Sequence, residues 1–146
     1  MHGFSFRVRY GDTDQMGWAY YATHLRWFEI GRAEMLRSLG RSYRSLEDED
    51  GVRLPVREAR CLYRLGARYD DALRVETALA ERSRVMVSFA YRVVREEDGA
   101  LIALGSTEHV FMNRDGRPMR APRGVEELLD RAPLAPPELL AALARR

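Results

Sequence analysis

Phe4, Phe6, Val8 and Tyr10 alternate with Ser5, Arg7 and Arg9, the period of two expected where one face of a strand is buried. This predicts a first strand that closes at Gly11. After the turn-rich segment 11–18 the period changes. From about Tyr21 to Leu39, the residues Leu25, Phe28, Met35, Leu36 and Leu39 recur at three- and four-residue steps, which predicts one long helix with Gly40 as its stop. Gly31 falls inside it at a cost of about 1 kcal/mol relative to alanine, and close packing against a sheet would account for it. The acidic stretch 46–51 reads as an exposed turn and 55–65 as an extended segment. Leu73, Val75, Thr77 and Leu79 then alternate with polar or small residues, and Val85, Val87, Phe89, Tyr91 and Val93 alternate with Met86, Ser88, Ala90, Arg92 and Val94. A further long strand runs from roughly Ala100 to Met112, with turns at 96–99 and 113–116. From Val125, short helical pieces separated by Pro133, Pro136 and Pro137 read as a peripheral tail beginning at about residue 123.

One strand, one long helix and then four or so long strands is an α+β order, with a single helix available to cover one sheet. The 146 residues read as one domain, 1–146. Met86, Ala90 and Val94 lie opposite the Val/Phe/Tyr row of their strand, so both sheet faces carry apolar groups and a second copy of the chain is expected to cover the spare one.

Composition narrows the chemistry. All 24 basic residues are arginine, against 22 acidic ones, for a net charge of +2. That balance excludes nucleic acid as the main partner, and the lack of lysine excludes Schiff-base catalysis. One cysteine and three histidines leave no internal disulfide and no structural zinc site, so no metal is expected. Cys61, in an extended stretch, reads as a small buried sulfur. No run of eighteen apolar residues exists and the amino end lacks the apolar core of a secretory signal, so a soluble cytoplasmic protein without a membrane span is expected.

The densest chemistry lies between Tyr10 and Tyr21. Asp12 and Asp14 are two residues apart in a loop, where one carboxylate can fix the turn while the other faces a cleft. The helix that follows begins with N–H groups lacking internal acceptors, and these carry partial positive charge. Asp14 facing a carbonyl held near Tyr21 and Ala22 would meet the needs of acyl transfer, with a carboxylate as base or nucleophile and amides for the oxyanion. Trp18, Tyr20 and Tyr21 suit an aromatic acyl pocket, while Trp27 and Phe28 suit the core. His24 and His109 read as surface or interface histidines, and Asp70 and Asp71 as turn formers.

On Tyr10, Asp12-Thr13-Asp14, Gly17, Tyr21, Trp27-Phe28-Glu29, Arg32, Glu34, Leu36-Arg37 and Gly40, and on the later block Tyr69-Asp70-Asp71, Leu73, Val75 and Thr77, the chain resembles the hotdog-fold acyl-CoA thioesterases of the 4-hydroxybenzoyl-CoA thioesterase type. The likeness spans about residues 4 to 122. It implies a five- or six-stranded antiparallel sheet wrapped around the long helix, protomers joined edge to edge, and dimers that pair again as tetramers. It implies Asp14 as the catalytic carboxylate and the Tyr21 amide as the group that polarises the thioester carbonyl. Gly17, Trp18, Tyr20 and Ala22 would line the substrate site. Arg82, Arg84, Arg117 and Arg120 would meet the phosphates of coenzyme A, which is part of the substrate, so no separate cofactor is implied. Ala22 stands where relatives often carry histidine, and Gly66 where proline is common. The rival readings are a non-catalytic acyl-CoA binding or assembly module and a hotdog hydratase or dehydratase using Asp14 with His24. Retention of Asp14 counts against the first, and the lack of a hydratase-like motif around His24 against the second.

Overall fold

Trp27, Phe28, Gly31, Met35 and Leu36 stack along one stripe of helix α1 (Thr23–Ser38), which is about 24 Å long at 1.5 Å per residue. The computed structural model describes residues 1–145. Around the helix curl five strands, β1 (His2–Arg7), β2 (Val56–Tyr63), β3 (Ala72–Arg82), β4 (Met86–Arg95) and β5 (Leu101–Val110). They form one sheet in the order β1-β3-β4-β5-β2, with every pairing antiparallel. The sheet has five strands, the lower of the two numbers expected.

The period of two puts Val87, Phe89, Tyr91 and Val93 of β4 toward α1, each at most 1% exposed, while Ala90 faces the other way. Phe28 stacks on Tyr91 with ring centroids 4.5 Å apart, and a side chain at Gly105 would overlap the Phe28 ring. Gly31 is explained as expected: a Cβ there would lie 2.9 Å from Val75 Cγ2, so the glycine lets the helix axis approach β3.

Four expectations are corrected. The first strand stops at Arg7 rather than running to Gly11, because the Asp12 carboxylate accepts a hydrogen bond from the Arg9 N–H (2.9 Å) and winds Tyr10–Asp12 into a 3-10 turn. Residues 46–49 are helical, within α2 (Tyr43–Glu49). Ser42 and Ser45 cap that helix reciprocally, and Leu46, 1% exposed, anchors it in the core.

The tail is not peripheral. In α3 (Arg123–Asp130), Val125, Leu128 and Leu129 enter the main core. In α4 (Pro137–Ala144), Leu139 and Leu143 pack with Ala135 on Ala78, Ala90 and Leu104 of the outer sheet face. The chain itself therefore covers Ala90, while Met86 and Val94 of the same face stay half-buried. Backbone bonds from Leu79 to Pro133 and from Ala135 to Leu79, both 2.8 Å, fasten the approach to α4 beside β3, and Arg60 donates to the Leu143 and Arg145 carbonyls at its far end.

The histidines are the fourth correction. His109 is fully buried and His24 is 3% exposed, so neither is a surface residue. His109 Nδ1 donates to the Leu54 carbonyl (3.0 Å), its Nε2 meets Thr107 Oγ1 (2.9 Å), and Arg32 donates to Tyr91 Oη (3.0 Å) beside them. Burial and the Arg32 charge push the His109 pKa down to about 4, so the imidazole is neutral.

Candidate active site at the mouth of the long helix

The loop before α1 is a small hairpin. Thr13 bridges Ala19, the Asp14 N–H donates to the Trp18 carbonyl (2.8 Å), and the Gly17 N–H returns to the Asp14 carbonyl (3.0 Å). Gly17 takes φ +80°, a conformation cheap only for glycine. The two aspartates divide their work. Asp12 fixes the 3-10 turn, while Asp14 accepts the Met16 N–H at Oδ1 (2.8 Å). Its second oxygen, Oδ2, receives no hydrogen bond among the described residues.

Across from it lies the mouth of α1. The Thr23, His24 and Leu25 N–H groups donate to the carbonyls of Tyr20, Tyr21 and Ala22. The Tyr21 and Ala22 N–H groups find no acceptor among the described residues, which leaves two donors at the positive end of the helix dipole. Asp14 shares one hollow of about 280 Å³ with Tyr20, Ala22, Thr23 and Arg26. It shares a larger, mostly apolar cleft of about 560 Å³ with Trp18, Tyr20, Tyr21, His24, Tyr63 and Leu65, among others. Tyr63 Oη donates to the Tyr21 carbonyl (3.0 Å), tying the end of β2 to the helix mouth. Trp18 forms one wall, with the Arg68 guanidinium 4.4 Å above its ring.

Asp14, Gly17, Trp18, Tyr20, Tyr21 and Ala22 thus come together at one end of the sheet. The four arginines do not join them. Tyr63 pairs with Ala103 and Leu73 with Arg95 at the Asp14 end, whereas Val56 pairs with His109, Met86 with Val110 and Arg82 with Val87 at the other. Arg84 holds Ala121 through its carbonyl, and Arg117 holds Asn113, so Arg117 and Arg120 sit with Arg84 about 25 Å of strand length from Asp14. Arg84, Arg117 and Arg120 are exposed. Arg82 is ion-paired with Asp130 and donates to the Glu126 carbonyl.

Sequence reading left Tyr63, Arg64, Leu65 and Arg26 out of the site. They reach it only through strand pairing and helix phase, and short-range pattern carries no signal for that. Gly66 carried one, since it was singled out as a departure. Cys61 is half-buried on β2, where burial pushes its thiol up to about 11, far from a reactive thiolate.

One long helix wrapped by a five-stranded antiparallel sheet defines the hotdog class of proteins, and here Asp14 lines the same hollows as Tyr21 and Ala22 at the helix mouth. The chain belongs to the thioesterase-like superfamily, whose family model matches residues 8–143. The acyl-CoA thioesterase YbgC of Haemophilus influenzae is 38% identical over 96 residues, 64% of this chain and 71% of its own. The structure of TT1821 from Thermus thermophilus superposes with a TM-score of 0.83 at 34% identity, covering 89% of this chain and 98% of its own. 4-Hydroxybenzoyl-CoA thioesterase, at 24% identity, shares the fold with a TM-score of 0.79 over 87% of this chain and 96% of its own. No helix among the described residues is long and apolar enough to cross a membrane.

Proposed function

We propose that this chain is a cytoplasmic thioesterase that hydrolyses acyl-CoA to the free acid and CoA at the mouth of α1. The thioester carbonyl oxygen takes the Tyr21 and Ala22 N–H groups, which strengthen their hold as negative charge develops there. Asp14 Oδ2 stands on the other side of the carbonyl carbon, either taking a proton from the attacking water or attacking directly. The C–S bond breaks, CoA leaves as the thiolate, and water supplies the oxygen of the new acid. Gly17 and Trp18 shape the loop that presents the carboxylate, and Tyr20 and Trp18 give the acyl group an apolar wall.

The site is completed by a second protomer. β2 has β5 on one side and an open edge on the other. Antiparallel pairing of two such edges carries the arginine end of one protomer toward the Asp14 end of its partner. Arg84, Arg117 and Arg120 then meet the phosphates of CoA bound to the neighbouring site, while Arg82 holds Asp130. The dimers pair again as tetramers through a surface other than the outer sheet face, which α4 occupies.

A single observation carries this reading: Asp14, with one oxygen unengaged, lines the same cleft as the unpaired amides. Asp14→Asn keeps the shape and removes the basicity. Thiol release from acyl-CoA should fall by about 10²-fold or more with circular dichroism unchanged, and an undiminished rate would overturn the assignment.

A further inference from the structure

His24 is a buried polar residue of the cleft that the reaction above does not use. It lines the cleft, yet its ring is held firmly, 4.6 Å from the Trp27 ring and edge-on to Tyr63 at 4.9 Å. Nδ1 lies 3.2 Å from the Tyr21 carbonyl. A carbonyl only accepts, so Nδ1 carries the proton and Nε2 presents a lone pair. Burial lowers the His24 pKa and keeps the ring in that neutral form. Nε2 is buried and has no partner among the described residues, and the neighbouring Tyr63 hydroxyl is committed to the Tyr21 carbonyl. A buried acceptor left unpaired is costly, and what it lacks is a donor. The other donors that line the cleft, the Arg64 guanidinium, the Trp18 indole N–H and the Tyr20 and Tyr21 hydroxyls, make no bond to Nε2, so the donor comes from whatever fills the cleft.

We infer that His24 is a specificity-determining residue, whose Nε2 accepts a hydrogen bond from a hydroxyl carried by the acyl group. The chain then prefers hydroxylated acyl-CoAs to their unsubstituted counterparts. This rests on the cleft beside Asp14 being the acyl site.

Two matched pairs test it and separate the two sources of such a hydroxyl: 4-hydroxybenzoyl-CoA against benzoyl-CoA, and 3-hydroxybutyryl-CoA against butyryl-CoA. The wild-type chain should favour the hydroxylated member of one pair by about tenfold in kcat/KM, and the pair that shows it identifies an aryl or an aliphatic source. His24→Phe fills the same space without an acceptor and should bring that ratio to about one, whatever it does to the rate on either substrate alone. His24→Gln, which restores an acceptor, should recover part of the preference. Equal kcat/KM within both pairs, as when a water satisfies Nε2, overturns the inference, as does a preference that survives His24→Phe. The Asp14 assignment fails separately, by full activity of Asp14→Asn on benzoyl-CoA and butyryl-CoA, substrates that His24 does not select.

Discussion

Trp18 lies against Gly66 with no space for a side chain between them. A Cβ at residue 66 would overlap the indole at Cε3 and Cδ2, while Arg68 closes over the opposite ring face. The indole is 38% exposed, so it has room to swing away where a core ring would not. Gly66→Ala should therefore displace Trp18 rather than unfold the chain, at a cost near the lower end of the roughly 1–3 kcal/mol typical of overpacking. The expected readouts are a red-shift of the Trp18 part of the fluorescence, with buried Trp27 as the constant background, and a KM for acyl-CoA raised several-fold. In a Trp18→Ala background the same substitution should be neutral, since the two effects are coupled through one contact.

The split of the site between two protomers makes a complementation prediction. Asp14→Asn removes the carboxylate, and the triple change Arg84→Ala, Arg117→Ala, Arg120→Ala removes the phosphate ligands. Either homodimer should be nearly inactive. Unfolded together in equal amounts and refolded, they should form mixed dimers in which one site has both parts, restoring about a quarter of the wild-type sites. Recovery of thiol release on mixing is the measurement. No recovery from a mixture shown by mass to contain mixed dimers would place both parts of the site in one chain.

The same arginines should act on the nucleotide and not on the acyl group. Losing a charge-assisted hydrogen bond costs roughly 1.5–3 kcal/mol, so each single Arg→Ala change should raise KM for acyl-CoA by about tenfold or more with kcat nearly unchanged. Acyl-pantetheine, which has no nucleotide phosphates, should show no such rise. Arg82→Ala should behave differently, lowering thermal stability through the loss of Asp130 and leaving KM alone.

The elements that the sequence disclosed are those whose signal is local. Alternation in β3 and β4 and the three- and four-residue steps of α1 placed these elements to within a few residues, and the Asp12–Tyr21 loop announced itself by its carboxylates and glycine. What stayed hidden depends on distant partners. Leu46 turned an acidic run into a helix because a core pocket awaited it, and Leu139 and Leu143 gave the tail a place on Ala78, Ala90 and Leu104. His24 was one residue among several polar ones near the helix start until Trp27 and Tyr63 closed over it.

Removing the helix that covers the outer face should expose what lies under it. Leu139, 5% exposed, packs with Ala78, Ala90 and Leu104, and Leu139→Ala should cost about 2 kcal/mol, the low end for a buried leucine at the rim of a small cluster. Ending the chain at Ala132 should uncover that apolar face altogether. Dye binding to exposed apolar surface and concentration-dependent association, measured by light scattering, should both increase. A truncated chain as monodisperse as the intact one would show that α4 is not needed as a cover.

Acid sensitivity follows from the two buried histidines. His109 is held neutral with a pKa near 4, and His24 is lowered as well. In the unfolded chain both titrate near 6.5. Between these values the unfolded state binds more protons than the folded one, so folding stability rises with pH across that window and is lost as pH falls through it. For His109 the full effect is at most roughly 3–4 kcal/mol, and it is complete above the unfolded value. His109→Gln keeps a donor for the Leu54 carbonyl and an acceptor for Thr107 Oγ1 but has nothing to titrate. Urea midpoints measured from pH 7 down to 4.5 should therefore fall less steeply in His109→Gln than in the wild type. Carboxylates that titrate lower contribute chiefly below this range, so the difference between the two slopes isolates the histidine. Parallel slopes would mean that His109 takes up its proton in the folded chain as readily as in the unfolded one.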